Sequence, residues 1–507
     1  MNKRKKPFII ISGILLLIAV LALMSAIWYI NMYGNVGFSA IVFTLNTDNG
    51  AVEKGIINSY LLKALVPTIV IHAAVMFILW WKPQKSVVLK DMKKGKIYKL
   101  FPFSNKATSL ISIILIVALL LTSAFTVSLP QYIISILDKT KFYEYEYIEP
   151  ENVTIEFPEE KRNVIYLLLE SMETSFFDMD QGGGLEYNVI PELYQLANEN
   201  INFSHNFDVG GWPVVTNSIW TIASIVSQTA GVPLSVPMKR NTYGKTSAFL
   251  PGITNLQDIL KKNGYYQAVM FGSDGNYAGR DQYYYQHGAD IVYDLFSARE
   301  DGIIPEDYKV WWGMEDLHLY EYAKRVLPQI AAKDEPFMFT MLTVDTHHVN
   351  GYKCSLCGDK YTEQYENVYS CASKQAYSFV EWLKLQDFYE DTTIIICGDH
   401  ASMDAAYFDR NVDKNYNRHI YNCIINSVAE TPNTKERVFT PFDMFPTTLA
   451  AMGCTIEGDR LGLGTNLFSE VPTLAEKYTL EHLNEELGKT SDFYINEFVK
   501  KQNKTEE

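Results

Sequence analysis

Positive charge is scarce in this 507-residue chain: 44 lysines and arginines stand against 59 aspartates and glutamates, a formal net charge of −15. With no basic stripe to neutralise phosphates, a nucleic-acid partner is excluded. Cysteine is scarce as well, six residues and none before Cys354. None of the six lies in Cys-x-Pro-x-Arg, so a formylglycine nucleophile is excluded, and Ser235-Val236-Pro237-Met238-Lys239 fails the serine version by its lysine. Internal repeats and low-complexity tracts are absent, which excludes a solenoid. Long apolar runs are present, but all three fall in the first 135 residues.

Those runs cover about 8–30, 60–81 and 107–127. Each approaches the roughly 20 residues that cross a bilayer. The first is too long for a signal peptide and lacks a small-x-small cleavage site. Lysines set the orientation. Lys3-Arg4-Lys5-Lys6 precedes the first run, and Lys82, Lys85, Lys90, Lys93, Lys94, Lys96, Lys99 and Lys106 lie between the second and third against the single acid Asp91. The segment from Asn31 to Asn58 is nearly uncharged. Both basic segments are expected in the cytoplasm, which puts everything after about residue 130 outside. Residues 1–135 thus read as a transmembrane anchor, 136–161 as a linker with tyrosines at headgroup level, 162–487 as an extracytoplasmic domain, and 488–507 as a polar tail forming a surface helix.

From Arg162 onward strands and helices alternate. Strands are expected at 163–169, 267–271, 336–343 and 392–397, and helices at 190–199, 221–230, 254–263, 315–332, 366–386 and 441–452. The pattern predicts an α/β domain with a doubly wound, mostly parallel sheet. Ligands bind such sheets at the carboxyl ends of the strands.

Two apolar strands end in metal-type residues: 163–169 runs into Glu170, and 392–398 into Asp399-His400. Oxygen and imidazole donors suit manganese, magnesium or zinc. The competing reading of Glu170 is a cap for the next helix. A Gly210-Gly211 loop feeds the helix that Thr221 opens. A hydroxyl there meets unbonded backbone N–H groups and suits a phosphate nucleophile. Thr221 could equally be an ordinary cap, and Thr216 and Ser218 are competing hydroxyls. Thr343-Val344-Asp345-Thr346-His347-His348 ends a third apolar run; adjacent histidines are expected to point apart, one of them serving as acid or phosphate donor. Arg280 could fork onto a phosphate. Cys354-x-x-Cys357 has zinc-ribbon spacing, but no second such pair follows, so a disulfide from Cys371 to Cys354 or Cys357 is expected outside the cell. Cys397 reads as a core thiol.

Together these segments resemble the alkaline phosphatase superfamily, and within it the membrane-anchored lipoteichoic acid synthase and phosphoglycerol transferase group, a sulfatase-like set. The resemblance rests on Glu170, Trp220-Thr221-Ile222-Ala223, Ser227-Gln228, Gly231-Val232-Pro233-Leu234, Leu342 to His348, Gly398-Asp399-His400 and Leu461-Gly462-Leu463-Gly464. It implies an alkaline phosphatase-like fold and one divalent metal, usually manganese, on Glu170, Thr221, Asp399 and His400. Thr221 would be the nucleophile, with Arg280, His347 and His348 at the substrate and His347 also catalytic. The implied reaction moves glycerophosphate from phosphatidylglycerol to an extracytoplasmic glycan or polymer through a phospho-threonine. Alternatives are a phosphoethanolamine transferase, which carries more metal ligands, a lipoteichoic acid synthase-type polymerase, which commonly has five spans, and a non-catalytic glycan or lipid sensor. Two departures bear on substrate contacts: Val349 stands where proline often follows the histidines, and Ala278 where lipoteichoic acid synthases have tryptophan.

Overall fold

The computed structural model describes residues 6–34, 37–46, 54–80, 87–90, 97–101, 103–236, 248–308, 310–311 and 313–500. Met1–Phe38 with Ala51–Ile133 forms one compact unit, and Ser39–Gly50 with Ile134–Glu507 another.

The first unit is built on helices α1 (Lys6–Tyr33), α2 (Val66–Trp80, continuing a helical run from Lys54) and α3 (Asn105–Thr126). They contain apolar spans of 24, 25 and 21 residues, Ile10–Tyr33, Ile56–Trp80 and Lys106–Thr126, each long enough to cross a membrane. Leu16, Val20 and Leu79 pack between them. Ile14, Leu62, Val70, Phe77, Leu110 and Phe125 face outward, as a lipid solvent requires. Ser104 starts α3 by accepting the Ala107 N–H at 3.2 Å. An antiparallel pair, Val87–Lys90 with Ile97–Phe101, separates α2 from α3. Lys3, Arg4, Lys5, Lys82, Lys85, Lys93, Lys94 and Lys96, on which the orientation argument leans, lie outside the described residues.

The second unit is organised by one seven-stranded sheet. Its strands are β1 (Asn163–Leu169), β2 (Gly211–Pro213), β3 (Tyr266–Phe271), β4 (Ile291–Tyr293), β5 (Phe337–Leu342), β6 (Thr392–Gly398) and β7 (His419–Ile425). They lie in the order β2-β7-β6-β1-β5-β3-β4. The five strands from β6 to β4 are mutually parallel, β7 pairs antiparallel with β6, and the edge strand β2 pairs antiparallel with β7. β5 and β6 are buried along their whole length and β1 from Val164 onward, which is why their sequences are aliphatic runs rather than alternations. On one face Ile165, Leu167, Phe339, Met341, Ile394 and Ile396 join a core with α4 (Pro191–Glu199), α6 (Asp316–Ala331) and α7 (Gln364–Leu383). Each such side chain contributes about 1.5–3 kcal/mol by leaving water. On the other face the Tyr166 hydroxyl donates to Gln228 of α5 (Thr221–Ala230) at 3.0 Å, and Thr393 donates to the Ala451 carbonyl of α8 (Met444–Ala451) at 3.4 Å. Helices therefore cover both faces, as a doubly wound sheet requires.

All four expected strands lie side by side at the centre. β7 escapes the sequence reading because Asn422 interrupts its apolar run; in the fold that amide accepts from the Phe203 N–H at 3.0 Å and donates to the Phe203 carbonyl at 2.8 Å. Two other expectations need correcting. The tyrosine-rich linker does not present all its rings to headgroups: Phe142 and Tyr143 are buried, and Tyr143 packs on Tyr494 and Phe498. The polar tail is helical at Tyr494–Lys500, yet Tyr494 and Phe498 are core residues. Spacing hid both, because each segment buries only two aromatic rings among charged neighbours.

Candidate metal centre and nucleophile

Four neighbouring parallel strands, β6, β1, β5 and β3, lead into the expected site residues other than Thr221, which opens α5. Glu170 follows β1 directly, and Asp399 and His400 follow β6. All three are buried, and their ligand atoms lie within 4.8 Å of one another. His400 Nε2 is 3.3 Å from Asp399 Oδ2 and 3.7 Å from Glu170 Oε1. Gly398 is required just before them: a Cβ there would sit 1.9 Å from the Met172 carbonyl oxygen.

Hydrogen bonds aim each ligand. Asp399 Oδ1 accepts the Ser171 and His400 N–H groups, both at 2.7 Å, while Oδ2 accepts no hydrogen bond although it is buried. Ser171 adopts φ 54°, a left-handed turn that also lets its hydroxyl donate to Glu170 Oε1 at 2.8 Å. His400 Nδ1–H donates to the Ala401 carbonyl at 2.9 Å, which leaves the Nε2 lone pair facing the carboxylates. Burial, and then the neighbouring Asp399, push the Glu170 carboxyl well above its ordinary range. A divalent cation fits this donor set: it would supply the partner Asp399 Oδ2 lacks and offset the repulsion between the two acids. Glu170 caps no helix; its side chain is committed to this cluster.

Thr221 is not an ordinary cap either. Trp220 occupies the cap position, and Thr221 is the first residue of α5. Its Oγ1 lies 3.4 Å from His400 Nε2. Since His400 carries its proton on Nδ1, the threonine hydroxyl is the donor. The helix N-terminus adds a positive field at this oxygen. Of the rival residues, Ser218 bonds Ser227 through its hydroxyl at 2.7 Å, and the Thr216 backbone N–H donates to Asn484 Oδ1 at 2.7 Å.

His347 and His348 do not point apart. Their rings stack, with centroids 4.4 Å apart and an interplanar angle of 21°, and the His347 Nδ1–H donates to the His348 carbonyl at 2.8 Å. Burial pushes the His347 imidazole down to about 4, with the His348 carbonyl opposing and His400 and Arg280 adding to the shift. Arg280 is buried over the Phe271 ring, 4.7 Å from its centroid, and donates to Ser273 Oγ and the Asp274 carbonyl, both at 2.7 Å. Burial weighs against its charge, while Tyr277 and Glu170 favour it.

The sequence reading passed over Glu173 and Arg418. Arg418 forks onto the fully buried Glu173 carboxylate, its Nε donating to Oε2 at 2.7 Å and Nη2 to Oε1. Glu173 also accepts the Ser402 N–H at 2.9 Å, and Arg418 donates to the Ser402 carbonyl at 2.7 Å. The pair therefore holds the turn that follows His400. Glu173, three residues after Glu170, carried the only local hint.

All six cysteines are thiols. Cys397 is the expected core thiol, but the expected disulfide is not formed. Cys354 Sγ lies 3.6 Å from Cys357 Sγ and 3.7 Å from Cys371 Sγ.

Residues 162–454 match the family described as Sulfatase. Phosphoglycerol transferase I of Salmonella choleraesuis is 31% identical over 254 residues, which cover 48% of this chain and 32% of that protein. The chain thus spans about a third of the length of the curated relatives it matches, 32%. Among solved structures, a Vibrio parahaemolyticus protein in the alkaline phosphatase superfamily aligns with TM-score 0.49 and 21% identity, covering 63% of this chain and 72% of that one. The lipoteichoic acid synthase LtaP of Listeria monocytogenes aligns with TM-score 0.48 and 21% identity, covering 63% of this chain and 79% of that one.

Proposed function

Because the chain belongs to the sulfatase family, we propose that its strand-end cluster is a one-metal phosphotransfer centre, serving transfer of glycerophosphate from phosphatidylglycerol to a hydroxyl of an extracytoplasmic glycan or polymer. The observation that carries this reading is the 3.4 Å approach of the Thr221 hydroxyl to His400 Nε2, directly beside two buried carboxylates. The formylglycine motif of classical sulfatase chemistry is missing from the sequence, so an alcohol takes the nucleophile's place.

Glu170, Asp399, His400 and Thr221 would hold the cation, for which the oxygen-rich donor set favours manganese. When bound, it would neutralise phosphate charge and lower the pKa of the threonine hydroxyl. Thr221 Oγ attacks phosphorus. An Oγ–P bond forms as the bond from phosphorus to the diacylglycerol oxygen breaks, leaving a glycerophospho-threonine. Thr221 gives up its proton and diacylglycerol gains one; His347 is the side chain assigned to that traffic. An arriving phosphate anion raises the depressed affinity of its ring for a proton. Arg280 and His348 hold the phosphate and the glycerol. The acceptor hydroxyl then attacks phosphorus, and Thr221 is regenerated.

Residues 1–135 act as the anchor and 162–487 as the catalytic domain on the outer face of the plasma membrane. A lipid donor gives the anchor its purpose. The test is Thr221→Ala assayed with headgroup-labelled phosphatidylglycerol. Diacylglycerol release should fall by about 10³-fold or more, and the label trapped on wild-type protein should map to Thr221. Unchanged release would sink the proposal, and an adduct on Thr216 would move the nucleophile.

A further inference from the structure

A second cluster of donor atoms lies apart from the strand ends. Cys354 and Cys357 flank a tight turn in the loop after His348, where the Cys357 N–H donates to the Cys354 carbonyl at 3.2 Å. Cys371 reaches the same point from within α7. The three sulfurs lie within 4.8 Å of one another, with the shorter separations at 3.6 and 3.7 Å. A disulfide needs about 2.0 Å. Three thiolates on a tetrahedral zinc, each about 2.3 Å from the metal, stand roughly 3.8 Å apart. Cys354 and Cys371 are buried, and Cys357 is half-buried.

A neighbouring side chain also reaches the cluster. Gln375 Nε2, one turn along α7, donates to Cys371 Sγ at 3.4 Å. Asp345 is buried nearby and neither of its carboxyl oxygens accepts a hydrogen bond; burial, then the neighbouring Asp316 and Cys354, push its carboxyl well above the ordinary range.

We propose that Cys354, Cys357 and Cys371 bind a thiophilic divalent cation, zinc by donor chemistry, at a structural site separate from the catalytic centre. Binding releases the thiol protons and requires no oxidant. The site ties the loop carrying His347 and His348 to α7, closing a segment 17 residues apart in sequence. The Tyr365 hydroxyl, on the same helix, already donates to the Thr346 carbonyl at 2.9 Å, so the metal would pin the far end of a loop whose near end is held.

Cobalt(II) exchanged into the full-length protein in detergent separates this site from the other, because only sulfur ligands give thiolate-to-cobalt charge-transfer absorption. The expected result is a strong band in the wild type, retained in Glu170→Gln and lost in Cys357→Ser. Thiol titration of the wild type as isolated, in denaturant with chelator, should count all six cysteines. Two fewer thiols, with a linked peptide joining two of the three, would overturn the proposal. So would a fully reduced wild type that shows no band. Neither of those readings depends on the cysteine variant folding.

Discussion

The molecule holds two convergent donor clusters of opposite character. Glu170, Asp399 and His400 are hard or borderline donors set on strand ends, each aimed by its own backbone or side-chain hydrogen bonds. Cys354, Cys357 and Cys371 are soft donors set on a loop and a helix. A sheet edge fixes ligand positions before any ion arrives, whereas a loop needs its ion to become a fixed element. The first arrangement therefore suits a centre that must change its ligands during a reaction, and the second suits a staple. The contrast lies in what carries the ligands as much as in the ligands themselves.

The sharpest way to break the comparison is to remove one strand-end ligand. Glu170→Gln should lower turnover by about 10³-fold, the several kcal/mol of charge stabilisation a metal supplies, while leaving the sulfur cluster loaded. The same variant, stripped of metal, should unfold at a higher denaturant concentration than the stripped wild type, because a buried like-charge pair has been relieved. Equal activity, or a less stable stripped variant, would show that Glu170 is not held against Asp399 as described.

Next in size is the scaffold itself. Glu173→Ala leaves Arg418 partly buried without its carboxylate and removes the acceptor for Ser402. Breaking such a pair costs about 3–5 kcal/mol. Denaturant unfolding should register that loss, and turnover should fall with it even at saturating metal. A loss under about 1 kcal/mol would mean that the strand-end cluster is not maintained by this pair.

The smallest effect is a difference in pH response between the two regions. His347 is held at about 4 in the fold against 6.5 when unfolded, chiefly by burial. As pH falls below 6.5 the unfolded chain takes up the proton first, so stability declines until about pH 4. Asp316, beside the cysteines, is raised from 3.8 to about 7, again chiefly by burial, with Val344 and Asp345 N–H groups opposing. Its contribution is present at low pH and is lost as pH rises through about 7. Urea midpoints between pH 4 and 7 should therefore fall less steeply toward acid for His347→Gln than for the wild type. Parallel profiles would remove His347 from the buried site.

Much of the catalytic region was legible because each of its ligands directly follows a buried aliphatic run, and parallel strands carry such runs to one edge. Glu170, Asp399 and His400 come together for that reason, and Thr221 reaches them from the start of α5. The histidine pair was misjudged because alternation holds within a strand and not in the loop after one, where the rings are able to stack. Cys371 was legible as a partner of Cys354 or Cys357, but sequence spacing did not show that the sulfurs stand 3.6 and 3.7 Å apart rather than bonded. Arg418 was missed because its partner lies 245 residues away.

The packing of Tyr143 on Tyr494 and Phe498 has a consequence for how the domain is made. Thr140 bonds Glu486 across 346 residues in the same seam. On the proposed orientation, residues near 140 leave the membrane first and wait for residues near 498 to be synthesised and exported. During that interval Phe142 and Tyr143 lie open to water or to a chaperone, and a chain interrupted before Phe498 would reach the cell surface with its seam unclosed.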